Sequence, residues 1–335
     1  MTRWVSTAAR GLLVCTVIAS CTNAGEDRVL SIAATGILKG FVFFDGDGDR
    51  LFGALSDTRL QGVRLRLVAR GTRDTTARAT SDTGGLYRIA GVPVGSYVVV
   101  VDTTSLGDSA QVVRIDTSDV TVTPGDSIGI AIIVSFPLLS VAEARKQPFG
   151  RKVFVEGVAL TQRTNAAPFG TFGDTTVFLA DTSAGIRATR VKGGIILVGD
   201  SLRWLGAVSS RDGQPTLDAV TPFTLAIGGI APLVQVSTAE AEAAGGGRLD
   251  AELVQVLGDS ITDTATVAPD FRLTVMDSAN GATLQVLLDK DAGFTGPALS
   301  PYVPGKRVDL TGVLVPVAPA SSQLKPRGPA DIVIK

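Results

Sequence analysis

The sequence predicts an all-β protein of several domains, and three observations support this class. Hydrophobic residues make up 45% of the chain, aromatic residues only 5%, and glycine occurs 38 times. Val, Thr, Leu and Ile are concentrated in short runs between Gly, Asp, Ser and Pro, which is typical of strands joined by tight turns. At 335 residues the chain can form two or three domains, each with its own core, and its C-terminal part contains one pattern twice.

The duplicated pattern starts at Leu139 and again at Val236. Both copies contain an Asp-to-Gly spacing of four positions and a Gly-to-Gly spacing of seven positions, in Asp181 to Gly185, Asp277 to Gly281, Gly199 to Gly206 and Gly305 to Gly312. The second copy carries an insertion, which we assign to the Pro- and Gly-rich residues 289–302 (DKDAGFTGPALSPY). This composition predicts a surface loop, in which Asp289 and Asp291 are solvated.

The N-terminus has the features of a secretion signal. Arg3 and Arg10 are followed by an apolar stretch at 11–20 that is too short to form a permanent membrane span. Residues 18–21 (IASC) resemble the lipobox of bacterial lipoproteins, in which the cysteine is acylated and becomes the mature N-terminus. The resemblance implies a signal peptide at 1–20, a covalent lipid on Cys21 that anchors the protein to a membrane, and a tether at 21–36. The alternative is a plain secretory signal that happens to contain a cysteine.

The first domain, 37–136, has apolar runs that alternate in the manner of strands. In residues 62–70, Val63, Leu65 and Leu67 alternate with Arg64 and Arg66. Turn signals at 82–85, 93–95 and 124–126 separate the runs at intervals that predict a β-sandwich.

Three segments of this domain resemble the SdrD B-like and carboxypeptidase-regulatory-like sandwich modules of bacterial surface proteins, which have a prealbumin-like fold. These are GFVFFDGDGDR, LQGVRLRL and TSDTGGLYRIAGVPVGSYVVVV. In SdrD-type modules an alternating acidic triplet and a later acidic residue bind calcium, and the resemblance assigns these roles to Asp45, Asp47, Asp49 and Asp57. Gly53 stands near the place of an intermediate acidic residue, and Asp57 aligns only if one extra residue is allowed. The alternative is an Asp-Gly turn with solvated carboxylates.

The two copies form the second and third domains, 137–229 and 230–335. Each begins with an Ala- and Glu-rich segment that suits one helix or turn, followed by about five strands. The strand pattern, the Asp-Ser-Gly turn and the later paired glycines resemble the OB-fold domains of exported bacterial proteins. The resemblance implies two tandem OB-fold-like barrels, a fold whose face and loops commonly bind nucleic acid or sugars.

Nucleic acid is nevertheless an unlikely partner on charge grounds. The chain has a net charge of -1, and its second copy has eight basic and twelve acidic residues. The first copy has ten basic and seven acidic residues, so only this copy offers a candidate polyanion surface, at Arg187, Arg190, Lys192 and Trp204.

Catalysis is not expected, because the chain contains no histidine and its only cysteines are Cys15 and Cys21. The GDSL tetrapeptide at 199–202 lacks the histidine base that a serine hydrolase needs. We therefore expect an exported, lipid-anchored protein of the cell envelope, with the outer membrane or the surface favoured, that binds or presents an unidentified surface protein or glycan. The alternative is an accessory subunit that delivers nucleic acid or glycan to a secreted nuclease or other hydrolase.

Overall fold

A computed structural model describes residues 34–163, 175–318 and 321–335 of the chain. The predicted signal peptide, Cys21 and nearly all of the tether lie outside these residues. The first strand begins at Thr35, inside the predicted tether. Most of the regular secondary structure in the described residues is β-strand, so the prediction of an all-β fold is confirmed.

Two sheets form the N-terminal sandwich. Their strands are β1 Thr35–Phe44, β2 Thr58–Arg59, β3 Arg64–Ala69, β4 Thr75–Thr80, β5 Leu86–Pro93, β6 Gly95–Val101, β7 Gln111–Ile115, β8 Asp119–Val122 and β9 Ser127–Ser135. In the first sheet, β1 pairs with β2 and β5 on one side and in parallel with β9 on the other, and β9 also pairs with β7. The second sheet has the order β4-β3-β6-β8.

Alternation along the strands places the sandwich core between the two sheets. Leu65 and Leu67 are buried while Arg64 and Arg66 are exposed, as the sequence predicted. Their strand packs over Val42 and Ile132 of the opposite sheet within a single apolar cluster. Burial of such side chains contributes about 1.5–3 kcal/mol each to stability.

The first repeat copy forms the second unit, whose strands pair in a closed circuit. The strands are β10 Leu138–Leu139, β11 Lys152–Ala159, β12 Val177–Ala180, β13 Gly185–Ala188, β14 Ser201–Arg211 and β15 Gln214–Ala226. The circuit runs β11-β12-β13-β15-β14 and returns to β11, and β13–β15 is its one parallel pair. The core contains Trp204, Val155 and Leu179, each 0% exposed.

The second copy forms the third unit with the same circuit of pairings. The strands are β16 Val234–Gln235, β17 Leu253–Val267, β18 Asp270–Met276, β19 Thr283–Leu288, β20 Arg307–Ala318, β21 Ser321–Lys325 and β22 Ile332–Ile334. The circuit runs β17-β18-β19-β21-β20 and returns to β17, again with one parallel pair, β19–β21. The duplicated sequence thus gives a duplicated topology, while the OB-fold assignment itself stays a prediction.

A short helix precedes the circuit in each copy, at α1 Val141–Ala144 and α2 Thr238–Glu242. Each helix starts with a capping box, formed by Ser140 with Glu143 and by Ser237 with Glu240. In each box the serine hydroxyl accepts the glutamate N–H and the glutamate carboxylate accepts the serine N–H, so two backbone donors at the helix start are satisfied. Within the described residues, no helix has the length and apolarity needed to cross a membrane.

The insertion of the second copy is largely exposed, as its composition predicted, but three of its side chains are buried. Phe294 and Tyr302 are 2% and 6% exposed and pack in the core of the third unit. Asp289 is fully buried and pairs with the buried Lys325, with Oδ2 and Nζ 2.7 Å apart. Of the two carboxylates expected in solvent, only Asp291 keeps substantial exposure. The two aromatic side chains outweigh the turn-forming glycines and prolines around them, because each buries a large apolar area.

Candidate functional site

The acidic loop, defined as residues 45–57, follows β1 at one end of the sandwich. Carboxylate oxygens of Asp45, Asp47 and Asp49 lie within 4.8 Å of one another. Gly48, between the second and third of these, has φ +78°, a conformation that a side chain would strain. The alternating Asp-Gly sequence therefore turns the backbone tightly enough to bring three carboxylates together.

Asp45 is the buried member of the group, at 0% exposure. Its Oδ1 accepts the Gly48 N–H at 2.7 Å, and its Oδ2 accepts the Arg50 N–H at 3.1 Å. Burial raises the pKa of Asp45 to about 6, and these two hydrogen bonds oppose that rise. A cation beside this carboxylate would favour its ionised form.

Asp47 and Asp49 line the outer part of the loop. One oxygen of each accepts a backbone N–H two residues further on, from Asp49 at 3.1 Å and from Leu51 at 2.7 Å. Calcium prefers six to eight oxygen ligands at 2.3–2.6 Å, taken from carboxylates, backbone carbonyls and water. The donor set of the triplet fits such an ion, and the remaining ligands would have to be carbonyls or water.

Asp57 lies outside the group of carboxylates within 4.8 Å of one another. Its two oxygens accept the N–H groups of Gly46 at 2.9 Å and Gly53 at 2.7 Å. Asp57 therefore ties the two ends of the acidic loop together, and its role as a calcium ligand stays a prediction.

The acidic loop also contacts the second unit. The Arg203 guanidinium donates to the Gly48 carbonyl oxygen and bonds Glu156, with Nη2 and Oε1 2.6 Å apart. A Cβ on Gly48 would lie 3.0 Å from the Arg203 side chain, so this approach also favours glycine. Next to the contact is a cavity of about 510 Å³ lined by both units, including Asp49, Arg50 and Phe136.

A row of phenylalanines, here called the aromatic bridge, continues this junction. Its members are Phe44, Phe136, Phe154 and Phe223, with successive ring centroids 4.9, 6.3 and 6.2 Å apart. Phe44 belongs to the sandwich, Phe154 and Phe223 belong to the second unit, and Phe136 lies between them. Aromatic pairs at such separations add about 0.5–1.5 kcal/mol each beyond their buried area.

The predicted polyanion residues do not form an open basic surface. Trp204 is 0% exposed within the core of the second unit, which corrects the expectation that its indole offers a stacking surface. Arg187 is 1% exposed and bonds Asp212, and burial lowers its pKa. Arg190 is exposed but forms a two-pronged ion pair with Asp218. Of the four, only Lys192 is exposed without a recorded ion pair among the described residues.

Sequence reasoning missed the polar contacts between the second and third units. Arg145 Nη2 donates to the Gly247 carbonyl at 2.7 Å, and Gln214 Nε2 donates to Asp250 Oδ1 at 2.6 Å. Gly185 lies so close to the third unit that a Cβ on it would be 2.4 Å from the Ala251 carbonyl oxygen. No local motif indicates such contacts, because the partners are separated by 36 or more positions.

Comparisons with known proteins identify no family. No family profile matches the chain, and no curated protein does. Similar solved structures include GBS52, the minor pilin of Streptococcus agalactiae, at 19% identity and TM-score 0.23, covering 31% of this chain and 45% of that one. The chain thus spans under half the length of that pilin. The Bacillus anthracis TIE protein matches at 10% identity and TM-score 0.23 over 88% of this chain and 49% of its own.

A murine DNA-binding protein, solved with double-stranded DNA, matches at 12% identity and TM-score 0.29. That match covers 54% of this chain and 97% of the murine chain. The TM-scores of these three matches are low, so none of them carries an inference about ligand or activity.

Proposed function

We propose that this chain is an exported, lipid-anchored protein that binds or presents a partner at the bacterial cell surface and has no catalytic activity of its own. The observation that carries the proposal is the direct contact between consecutive units. The sandwich and the second unit meet through Arg203 and the aromatic bridge, and the second and third units meet through Arg145 and Asp250. Units fixed to one another in this way suit a protein that holds a binding surface in a defined position.

The proposal includes two tandem OB-fold-like barrels. Each C-terminal unit has five strands that pair in a closed circuit with a single parallel pair. This circuit is what a small closed Greek-key barrel requires. The near-neutral chain and the buried Trp204 favour a partner other than nucleic acid.

Calcium at the acidic loop is a second part of the proposal. Asp45, Asp47 and Asp49 supply the oxygens, and the loop lies against Arg203 of the second unit. A calcium ion bound there would offset two of the three negative charges that these carboxylates place at the junction between two units. We therefore propose that calcium stiffens the junction as well as the loop.

The lipid anchor rests on residues 18–21. Acyl chains contribute about 0.8 kcal/mol per buried methylene, so two or more chains give a stable anchor that does not depend on electrostatic attraction.

Membrane fractionation of cells that express the full chain tests the anchor. Wild-type protein should stay in the membrane fraction at high salt, and Cys21→Ser should move it to the soluble fraction. Cys15→Ser is the matched control and should leave the protein on the membrane. Membrane partitioning unchanged by Cys21→Ser, with no lipid mass on the mature N-terminus, would refute the anchor.

A further inference from the structure

Half of strand β9 has an open edge in the described part of the chain. Along its whole length β9 pairs with β1, whereas β7 pairs only with Ile132 to Ser135. After β7 the chain leaves this sheet and enters the opposite one at β8. The stretch from Ser127 to Ala131 therefore has one neighbouring strand rather than two.

The direction of the backbone groups shows what this edge offers. The carbonyls of Asp126 and Val134 accept N–H groups from the β1 side at 2.7 and 2.8 Å, so the even-numbered residues of β9 bond towards β1. The backbone N–H and C=O groups of the odd-numbered residues point away from β1, and the Ala131 carbonyl accepts the Asp116 N–H at 3.1 Å. Both backbone groups of Ser127 and of Gly129, and the N–H of Ala131, have no hydrogen bond recorded among the described residues.

A groove of about 850 Å³ leads to this edge. Its floor contains two cross-strand rows, Arg88–Lys39–Gly129 and Leu86–Phe41–Ala131. The outer strands β5 and β1 contribute long side chains, while β9 contributes only Gly and Ala. The floor therefore drops towards the open edge, and a chain lying along β9 could place a side chain in the groove.

The groove is apolar along one row and carries two cations along the other, and Asp82 and Asp116 also line it. Asp82 accepts the N–H groups of Gly84 and Leu86, and Asp116 pairs with Arg114. Leu86 is 53% exposed, and Phe41 is partly exposed beside it. Lys39 and Arg88 are exposed, adjacent across the sheet, and in no ion pair recorded among the described residues. Two unpaired neighbouring cations favour an occupant with a carboxylate at that row.

We propose that the open edge of β9 binds an extended, acidic and apolar peptide segment of a partner protein by strand addition. Only an extended backbone can satisfy alternating N–H and C=O groups along an edge, and pockets for alternate side chains then give specificity. The segment's apolar side chain packs on Phe41 and Leu86, and its carboxylate pairs with Lys39 and Arg88. This inference rests on the proposed binding function and gives that function a site and a class of partner.

A second copy of this chain fits the edge less well. A symmetric pairing of two β9 edges offers Lys39 and Arg88 no carboxylate, because residues 127–131 contain no acidic side chain.

Binding of designed peptides to the full chain tests the inference. The probe is a fluorescent nine-residue peptide in which Val and Glu alternate at every second position with Thr between them, so that Val and Glu lie on the same face of the added strand. The matched probes are its Val/Lys counterpart and a copy with N-methyl groups on alternate residues. The Val/Glu peptide should bind and should slow hydrogen exchange in residues 127–131. Both matched probes should bind at least tenfold more weakly. Failure of the Val/Glu peptide to bind, or equal binding of the N-methylated copy, would overturn the proposal.

Variants locate the peptide. Gly129→Pro removes an outward N–H and should weaken binding at least tenfold, whereas Gly129→Ala keeps that N–H and has open space for its Cβ, so it should bind as wild type does. If Gly129→Pro does not fold, Lys39→Glu with Arg88→Glu provides the decisive variant and should also lose at least tenfold. Arg66→Glu with Arg78→Glu, a cross-strand pair on the opposite sheet, is its control. Undiminished binding by the folded edge variants would refute the site.

Two further outcomes separate this inference from the function on which it rests. If the wild type is a dimer and Gly129→Pro is a monomer, the edge binds a second copy, and the proposal of a partner peptide is overturned. A chain that is present on the cell surface but binds no peptide would refute only this inference. A chain absent from the surface would refute the proposed function itself.

Discussion

Replacing Glu252 by Gln should stabilise the protein at neutral and alkaline pH. Glu252 lies next to the junction of the second and third units and is 4% exposed. Burial raises its pKa from 4.5 to about 7. The positive charges of Arg248 and Arg145 oppose this rise, whereas the negative charge of Asp181 adds to it. The folded state therefore holds the Glu252 proton more tightly than the unfolded state does.

The sign and size of the pH effect follow from this pKa. Stability from the protonated carboxyl is fully present below about pH 4.5 and is lost as pH rises towards the folded-state pKa of about 7. Each tenfold change in proton affinity corresponds to about 1.4 kcal/mol, so the full loss is about 3 kcal/mol at most. Between pH 5 and pH 8 the free energy of unfolding of the wild type should therefore fall by about 2–3 kcal/mol relative to that of Glu252→Gln.

Urea unfolding of both proteins at pH 5 and pH 8, followed by circular dichroism, measures this difference. The control is Asp263→Asn, which replaces an exposed carboxylate on β17, the strand that begins one residue after Glu252. This control should change stability by less than about 0.5 kcal/mol at either pH. A gap between wild type and Glu252→Gln that is equal at the two pH values would refute the reasoning.

Three more predictions follow from the sites described above. Millimolar calcium should raise the melting temperature of the full chain, because binding at a hundredfold excess over Kd stabilises the folded state by about 2.7 kcal/mol. Asp47→Ala should abolish the shift, whereas the control Asp74→Ala should keep it. No shift in the wild type would favour a solvated turn. Asp289→Ala should cost about 3–5 kcal/mol in urea unfolding by leaving Lys325 buried without its carboxylate, and adding Lys325→Met should recover part of this loss; a cost under 1 kcal/mol would contradict the buried pair. A labelled single-stranded DNA should bind no more tightly than about 10⁻⁴–10⁻⁶ M, and submicromolar binding lost in Arg187→Ala with Arg190→Ala would support the nuclease-accessory alternative.

The sequence predicted the features that depend on local pattern. Alternation of Val63, Leu65 and Leu67 with arginines identified a strand with one buried face, because successive side chains point to opposite sides of a sheet. The Ala- and Glu-rich starts of the two copies, predicted to form one helix or turn, coincide with two short helices. Spacing in the acidic triplet identified three carboxylates that the structure brings together.

Features that depend on contacts between distant residues were not predictable in this way. Composition predicted that residues 289–302 lie at the surface, but not that Phe294 and Tyr302 are core residues or that Asp289 pairs with a lysine 36 positions away. Trp204 was a candidate binding residue until its register on β14 placed it inside the second unit. The open edge of β9 follows from where β7 leaves the sheet, and periodicity does not show that point.

Antibody labelling of intact cells tests the central claim most directly, because a surface-presented protein must be accessible from outside. Antibodies raised against residues 175–335 should label intact cells that express the full chain, and labelling should not increase when the cells are permeabilised. Cells that express Cys21→Ser should lose the label while the protein appears in the soluble fraction. Labelling of the wild type only after permeabilisation would contradict presentation at the surface.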